Sequence, residues 1–257
     1  MNENLSITFP ACGRKVLITG ASGGIGRAIA RRFAENGDAL FLHSFRNQEF
    51  LTELREEFPD TTIQISSRDL RDIKEQDALI SEAWEWGNGL DILIQTAGVD
   101  ILTGPRREWS YEEKLNALWQ VDVQATIRLA RAFSERLMKK SASGIVLMTG
   151  WNAVSWGMAG DSAELFAAVK GAVTAFARCL AQKTGPNIRV HCIAPGWIQT
   201  LWGQNAPTAW QEHARKDSLL ERWGTPEDIA NAVFFLCSPE AAFLNGLTLP
   251  VDGGKRF

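Results

Sequence analysis

Residues 19–26 read T-G-A-S-G-G-I-G, and the fold follows from what flanks them. Before the stretch lies a short apolar run, residues 15–19 (K-V-L-I-T); after it, residues 25–36 form an amphipathic segment closed by Gly37, as a helix is closed by a C-terminal glycine. A strand, a glycine-rich turn and a helix in that order make a phosphate cradle. Gly20 permits the tight turn, Gly24 removes a side chain where backbone meets a pyrophosphate, and Gly26 lets the helix pack closely on the sheet. Ser22 and Ile25 complete the turn. The helix N-terminus then offers free N–H groups and a partial positive charge to an anion.

Downstream, short apolar runs alternate with amphipathic stretches, the pattern of βαβ units and a parallel sheet. Strands are expected at 39–43, 62–65, 90–96, 144–149, 188–194 and 247–251, and helices at 48–58, 73–86, 112–139, 163–183 and 226–237. Thr225 serves as N-cap and Pro226 as the first helical residue of the last of these. With the first strand this makes about seven strands in a doubly wound α/β sheet, read as one domain over 1–257 with right-handed crossovers.

A chain of 257 residues is long enough for one large core. The net charge of −3 gives no electrostatic reason to expect nucleic acid. No apolar run reaches the ~18 residues of a membrane span, and the N-terminus does not read as a secretory signal. Cys12, Cys179, Cys192 and Cys237 are far apart and form no C-x-x-C pair. Neither a metal site nor a disulfide framework is therefore expected, and reduced, mostly buried thiols in a cytoplasmic protein are the plain reading. Ten tryptophans stand against a single tyrosine, Tyr111, so the chain has few ways to supply a phenolic acid.

Gly20, Gly24 and Gly26 are spaced G-x-x-x-G-x-G. Asp69-Leu70, Ala97-Gly98, residues 166–172 (F-A-A-V-K-G-A), residues 195–200 (P-G-W-I-Q-T) and residues 251–254 (V-D-G-G) follow in order. Together they resemble the classical short-chain dehydrogenase/reductase family, particularly its 3-oxoacyl-carrier-protein reductase-like members, over nearly the whole chain. The resemblance implies a nicotinamide dinucleotide. Asp69 and Leu70 would hold its adenine, Ala97 and Gly98 would line its path, and Pro195, Gly196, Ile198 and Thr200 would contact its nicotinamide end. It also implies a substrate lid at about 197–224 and a homodimer or homotetramer packed through the helices at 112–139 and 163–183.

Where an NAD-binding relative carries an acid after its second strand, residues 43–47 read H-S-F-R-N. Ser44 and Arg46 suit the 2′-phosphate of NADP(H), which is favoured over NAD(H). The alternative is that Arg46 is a solvated surface charge.

The catalytic positions depart from the family. Its tyrosine falls on Phe166, which has no proton to give, while the lysine four residues on is kept as Lys170. The helix asparagine becomes Asp122. The serine falls on Trp151 counted from the strand and near Ala153 counted back from Phe166, with Ser155 the nearest hydroxyl; Gln95 and Thr96 replace two asparagines. Asp122 and Lys170 are candidates for a new acid–base pair; the plainer reading is a charge-balancing pair. Asp161, Ser162 and Glu164 either cap the helix that starts there or supply an acid, capping being favoured. Trp151, Trp156, Trp197, Trp202 and Trp210 either line a pocket for a small apolar or aromatic substrate or pack the lid; Trp84 and Trp86 read as core. Three functions remain open: an NADP(H)-dependent oxidoreductase on a carbonyl or hydroxyl, such as a 3-oxoacyl thioester; an inactive nucleotide- or ligand-binding relative; and a dehydratase or cyclase reusing the cleft.

Overall fold

The opening strand, β1 (Lys15–Thr19), lies in the interior of a sheet of seven parallel strands, third from one edge. The others are β2 (Ala39–Ser44), β3 (Ile63–Ser67), β4 (Ile92–Gln95), β5 (Gly144–Thr149), β6 (Ile188–Pro195) and β7 (Thr248–Val251), in the order β3-β2-β1-β4-β5-β6-β7. The computed structural model describes residues 12–204 and 206–256, leaving out the side chains of Trp202 and Gln204.

The strands are apolar on both faces because both faces are covered. Val16 and Ile18 of β1 point into one core with Ile92 and Ile94 of β4. Leu17 and Leu93 point into the other. Helices α1 (Gly24–Glu35), α2 (Glu49–Glu57) and α9 (Pro226–Leu236) bury their apolar stripes on the first face. The second face is covered by α3 (Ile73–Trp86), α5 (Thr126–Lys139) and α6 (Asp161–Thr184), with Trp84 and Trp86 packed against its core. Short helices α4 (Tyr111–Leu118), α7 (Leu201–Gln204) and α8 (Thr208–Asp217) complete the set.

Most expected elements appear within one or two residues of their predicted bounds, and 73–86 and 144–149 match throughout. Two expectations change. The long helix at 112–139 is interrupted: between α4 and α5 the backbone widens into a π-helical turn, Trp119–Ala125, that carries Asp122. Turns of this kind add a residue to the ladder and re-aim a side chain, and they cluster at functional sites. Second, α6 is not capped by Ser162. Its N-cap is Gly160, at φ 112°, with no side-chain bond; Asp161 and Glu164 lie in the first turn instead, where carboxylates oppose the helix dipole. Thr225 does cap α9, in a reciprocal box with Asp228.

Two buried arginines close the C-terminal end of α9. Arg14 pairs with Asp38 and donates from Nη1 to Cys237 O at 2.8 Å. Arg189 donates from Nη1 to Leu236 O at 2.7 Å and to Ala241 O at 3.2 Å. Both supply cations to orphan carbonyls at a helix end. Neither position carried a periodic signal.

Burial pushes the imidazoles of His43 and His191 down to about 4. Unfolded, each would titrate near 6.5. The unfolded chain therefore binds more protons below that value, and the stability these neutral rings provide is complete above pH ~6.5 and lost as pH falls toward about 4. Urea unfolding should show stability falling by up to ~2.7 kcal/mol per pH unit between pH 6 and 5, from two histidines at 1.36 kcal/mol each. His191→Asn should roughly halve that slope; an unchanged slope would remove His191 from the account.

Candidate functional site

In a doubly wound sheet the crevice opens at the carboxyl ends of the strands, where the order reverses. Here that point lies between β1 and β4. A cleft of about 460 Å³ opens there, lined by Gly20, Ser22, Ser44, Arg46, Asp69, Leu70, Ala97 and Gly98 among others. Eight of the expected cofactor-binding residues thus meet on one surface.

The turn is built for close approach. Gly20 has φ 71°, and a Cβ there would lie 2.5 Å from Ala97 N; a Cβ on Gly26 would overlap Gly20 O. Helix α1 begins at Gly24 behind Gly23, with no side-chain cap and no acid in its first turn, so its positive end is left for an external anion. Ile25 follows in that turn. Thr200 packs against Gly24, its Cγ2 at 3.3 Å from a Cβ built there, so the loop after β6 reaches the turn. Pro195 ends β6, Gly196 donates to Val251 O at 3.1 Å, and Ile198 is buried in a bridge with Gly224. These residues thus frame the turn from the C-terminal side of the sheet. A cradle without side chains, an uncapped helix end and an open cleft together fit a dinucleotide.

At the adenosine end, Ser44 is buried and its hydroxyl donates to Asn47 O at 3.1 Å. Arg46 is exposed, its guanidinium 4.8 Å from the Phe45 ring centre. The neutral imidazole of His43 links the two halves of the site: Nδ1 accepts from Gly20 N–H at 3.4 Å, and Nε2 lies 3.0 Å from Arg68 O. Asp69 accepts from three donors of Arg71: its backbone N–H at 3.0 Å, its Nε at 3.0 Å to each carboxylate oxygen, and its Nη2. These bonds hold the Asp69 carboxyl below its ordinary range. Arg71, Arg106 and Trp109 also line the cleft; they lie in stretches without a motif, and only the topology brings them in.

At the other end Lys170 Nζ lies 2.8 Å from Asp122 Oδ1, with side chains 13% and 2% exposed. The second carboxylate oxygen accepts Val99 N–H at 3.0 Å, and a Cβ on Gly98 would lie 2.9 Å from Oδ1. Asp122 is thus held between the loop after β4 and α6. Phe166, one helical turn before Lys170, meets Trp151 edge-on at 6.2 Å between ring centres. Hydrocarbon therefore stands at 166, where the resemblance places the phenol, and neither Trp151 nor Ala153, the two positions it offers for the serine, carries a hydroxyl. Ser155 is exposed at the end of the short turn Asn152–Ser155; among the described residues it forms no bond to Lys170 or Asp122. Asn152 Nδ2, next to Trp151, donates to Asp252 Oδ2 at 3.1 Å and ties this turn to the chain's end.

The tryptophans divide. Trp197 packs on Trp210 at 5.4 Å and on Trp223 at 5.9 Å between centres, and its Nε1 donates to Asp217 at 3.1 Å. That cluster stitches α8 to the loop after β6. Trp156 lies under the Lys255 ammonium at 5.8 Å. Trp202's side chain is outside the described residues. Among the described residues, no His, Cys, Asp or Glu cluster is arranged to hold a metal, and no helix is long and apolar enough to cross a membrane.

This is the architecture of a dinucleotide-binding α/β protein. The family model described as enoyl-(acyl carrier protein) reductase matches residues 20–256. The chain is 32% identical to a 3alpha-hydroxysteroid dehydrogenase of Mediterraneibacter gnavus over 93% of its own length and 96% of that protein's. To dehydrogenase/reductase SDR family member 4 of Mus musculus it is 30% identical, over 98% and 91%. A solved short chain dehydrogenase from Burkholderia cenocepacia, in complex with NADP, superposes with a TM-score of 0.84 at 27% identity, covering 95% of this chain and 98% of that one. The chain belongs to the short-chain dehydrogenase/reductase family of oxidoreductases, whose members bind a nicotinamide cofactor.

Removing one partner of a buried ion pair leaves an uncompensated charge, at about 3–5 kcal/mol. Asp122→Ala and Lys170→Met should each lose stability of that order in urea unfolding, and the double variant should lose clearly less than their sum. Simple additivity would mean that the pair does not couple.

Proposed function

We propose that this protein is an NADP(H)-dependent oxidoreductase that interconverts a carbonyl and a hydroxyl on an apolar or aromatic substrate, with Lys170 handling the proton in place of the family's phenol. The observation that carries the reading is the Lys170–Asp122 contact at 2.8 Å beside Gly98, with the hydrocarbon of Phe166 one helical turn before Lys170 and Trp151 packed edge-on against it. When bound, the cofactor supplies or accepts the hydride. The turn at Gly20, Ser22, Gly24, Ile25 and Gly26 would hold its pyrophosphate, and Arg46 would bind its 2′-phosphate. Asp69 and Leu70 border its adenine, and Pro195, Gly196, Ile198 and Thr200 border its nicotinamide end.

An ammonium has three N–H donors. Asp122 Oδ1 takes one from Lys170 Nζ, leaving the others for a ribose hydroxyl and for the substrate oxygen. In reduction that oxygen receives its proton from Nζ. Asp122, itself held by Val99 N–H, orients the ammonium. General acid–base groups contribute ~10²–10⁴-fold, so a chain without the phenol and the serine turns over slowly.

Residues 197–224 form the lid, stiffened by the Trp197 cluster, and the remaining aromatic rings favour a flat or long apolar substrate; the hydroxysteroid-oxidising relative supports that shape. Tyr111 and Trp119, 40% and 49% exposed at the helix pair 111–139, support assembly as a homodimer or homotetramer. Burial pushes the thiols of Cys192 and Cys237 up, Cys237 to about 12, which keeps them protonated and unreactive, whereas Cys12 and Cys179 are exposed, so only two of the four thiols are buried; four unpaired thiols support a cytoplasmic setting.

The same hydrocarbon wall favours a second reading, a non-catalytic binder of NADP(H) or an apolar ligand. NADPH oxidation across ketones, 3-oxosteroids and 3-oxoacyl thioesters separates the two. Under the catalytic reading, Lys170→Met lowers kcat at least ~10²-fold, and Phe166→Tyr with Trp151→Ser raises ketone reduction by ~10²-fold or more. A wild-type chain that binds NADPH yet oxidises it with no substrate in the panel leaves the binder.

A further inference from the structure

Reading the site for NADP(H) assigns one side-chain cation, Arg46, to the 2′-phosphate, and Ser44 as its companion. Ser44 is not available as a donor: its only proton goes to Asn47 O. A dianionic phosphate ester beside one exposed guanidinium would be weakly held, and the cleft contains a better second partner.

Phe45 is flanked by two arginines. Arg46 Cζ lies 4.8 Å from its ring centre and Arg71 Cζ lies 5.6 Å away. Both guanidiniums line the cleft, as do Ser44 and Asp69. Arg71 is held by Asp69 through Nε and Nη2, so its plane is fixed. Among the described residues its Nη1 has no partner, and Arg46 forms no ion pair or hydrogen bond. The Arg46 charge also acts on the Asp69 carboxylate, which places all three groups in one cluster. Two fork-shaped cations with unspent donors, one of them held by a carboxylate and both over one aromatic ring, suit a phosphate monoester.

We infer that Arg71 is a second 2′-phosphate-binding residue, with Asp69 acting as its positioning residue and Phe45 as the shared platform that spaces it from Arg46. This rests on the NADP(H) reading above and deepens it. The site then selects NADP(H) through a pair of guanidiniums from two different strand ends, β2 and β3.

Fluorescence titration of the full chain with NADPH and with NADH, which lacks only the 2′-phosphate, reads the inference directly. Arg71→Gln should raise the NADPH Kd about tenfold, the size of one exposed charge-assisted hydrogen bond, while the NADH Kd stays within about twofold. Arg71→Lys should recover part of the loss, and Arg46→Gln with Arg71→Gln should abolish the preference for NADPH. A circular-dichroism melt checks that the variants fold. If wild type prefers NADPH and Arg71→Gln leaves its Kd unchanged, or weakens NADH equally, the assignment of Arg71 is overturned while the cofactor reading stands. If wild type shows no preference for NADPH, both fall.

Discussion

The backbone of Gly20 lies against the backbone of Ala97, with no room between them for a single carbon. That contact joins the end of β1 to the end of β4 at the place where the sheet's connections part to opposite sides. Because the strands separate there, their C-terminal ends leave a crevice, and because the turn carries no side chain, the crevice is floored by backbone. The uncapped start of α1, the neutral His43 imidazole bonded to Gly20 N–H and the approach of Thr200 to Gly24 all depend on this closeness. A larger residue at position 20 would need both strand ends to move.

From that floor the two ends of the cleft differ in character. The adenosine end is crowded with formal charge, each cation either paired or laid on a ring. Where Gly98 and Val99 line it, the cleft backs onto one ion pair, Asp122 with Lys170, with side chains 2% and 13% exposed. A pair so enclosed is costly to desolvate and is retained only if well bonded. The Val99 N–H and the π-helical turn beneath Asp122 meet that need. The turn aims the carboxylate across to α6, whereas a regular helix at 112–139 would have placed position 122 differently around the axis.

Elsewhere the chain is closed by cations at helix ends. Arg14 and Arg189 both reach the carbonyls after α9, one paired with Asp38 and the other with no carboxylate among the described residues. Burial of Arg189 lowers its affinity for a proton, and the same burial keeps His191 beside it neutral. The cost of these buried groups is offset by carbonyls that would otherwise lack donors.

Local rules were enough for much of this. The strand–turn–helix at 15–36, the seven parallel strands, the N-cap at Thr225 and the absence of hydroxyls at 151 and 166 depend on residue type and spacing within a few turns, so the sequence by itself determined the fold and the placing of the dinucleotide cradle. What only the tertiary structure decided involves partners far apart in the chain. Examples are the carboxylate that meets Lys170, the Arg71 guanidinium that reaches the Phe45 ring, and the tryptophans at 197, 210 and 223 that pack on one another. Periodicity reports which face of an element is apolar; it does not report where a long polar side chain ends, because that depends on how two elements cross.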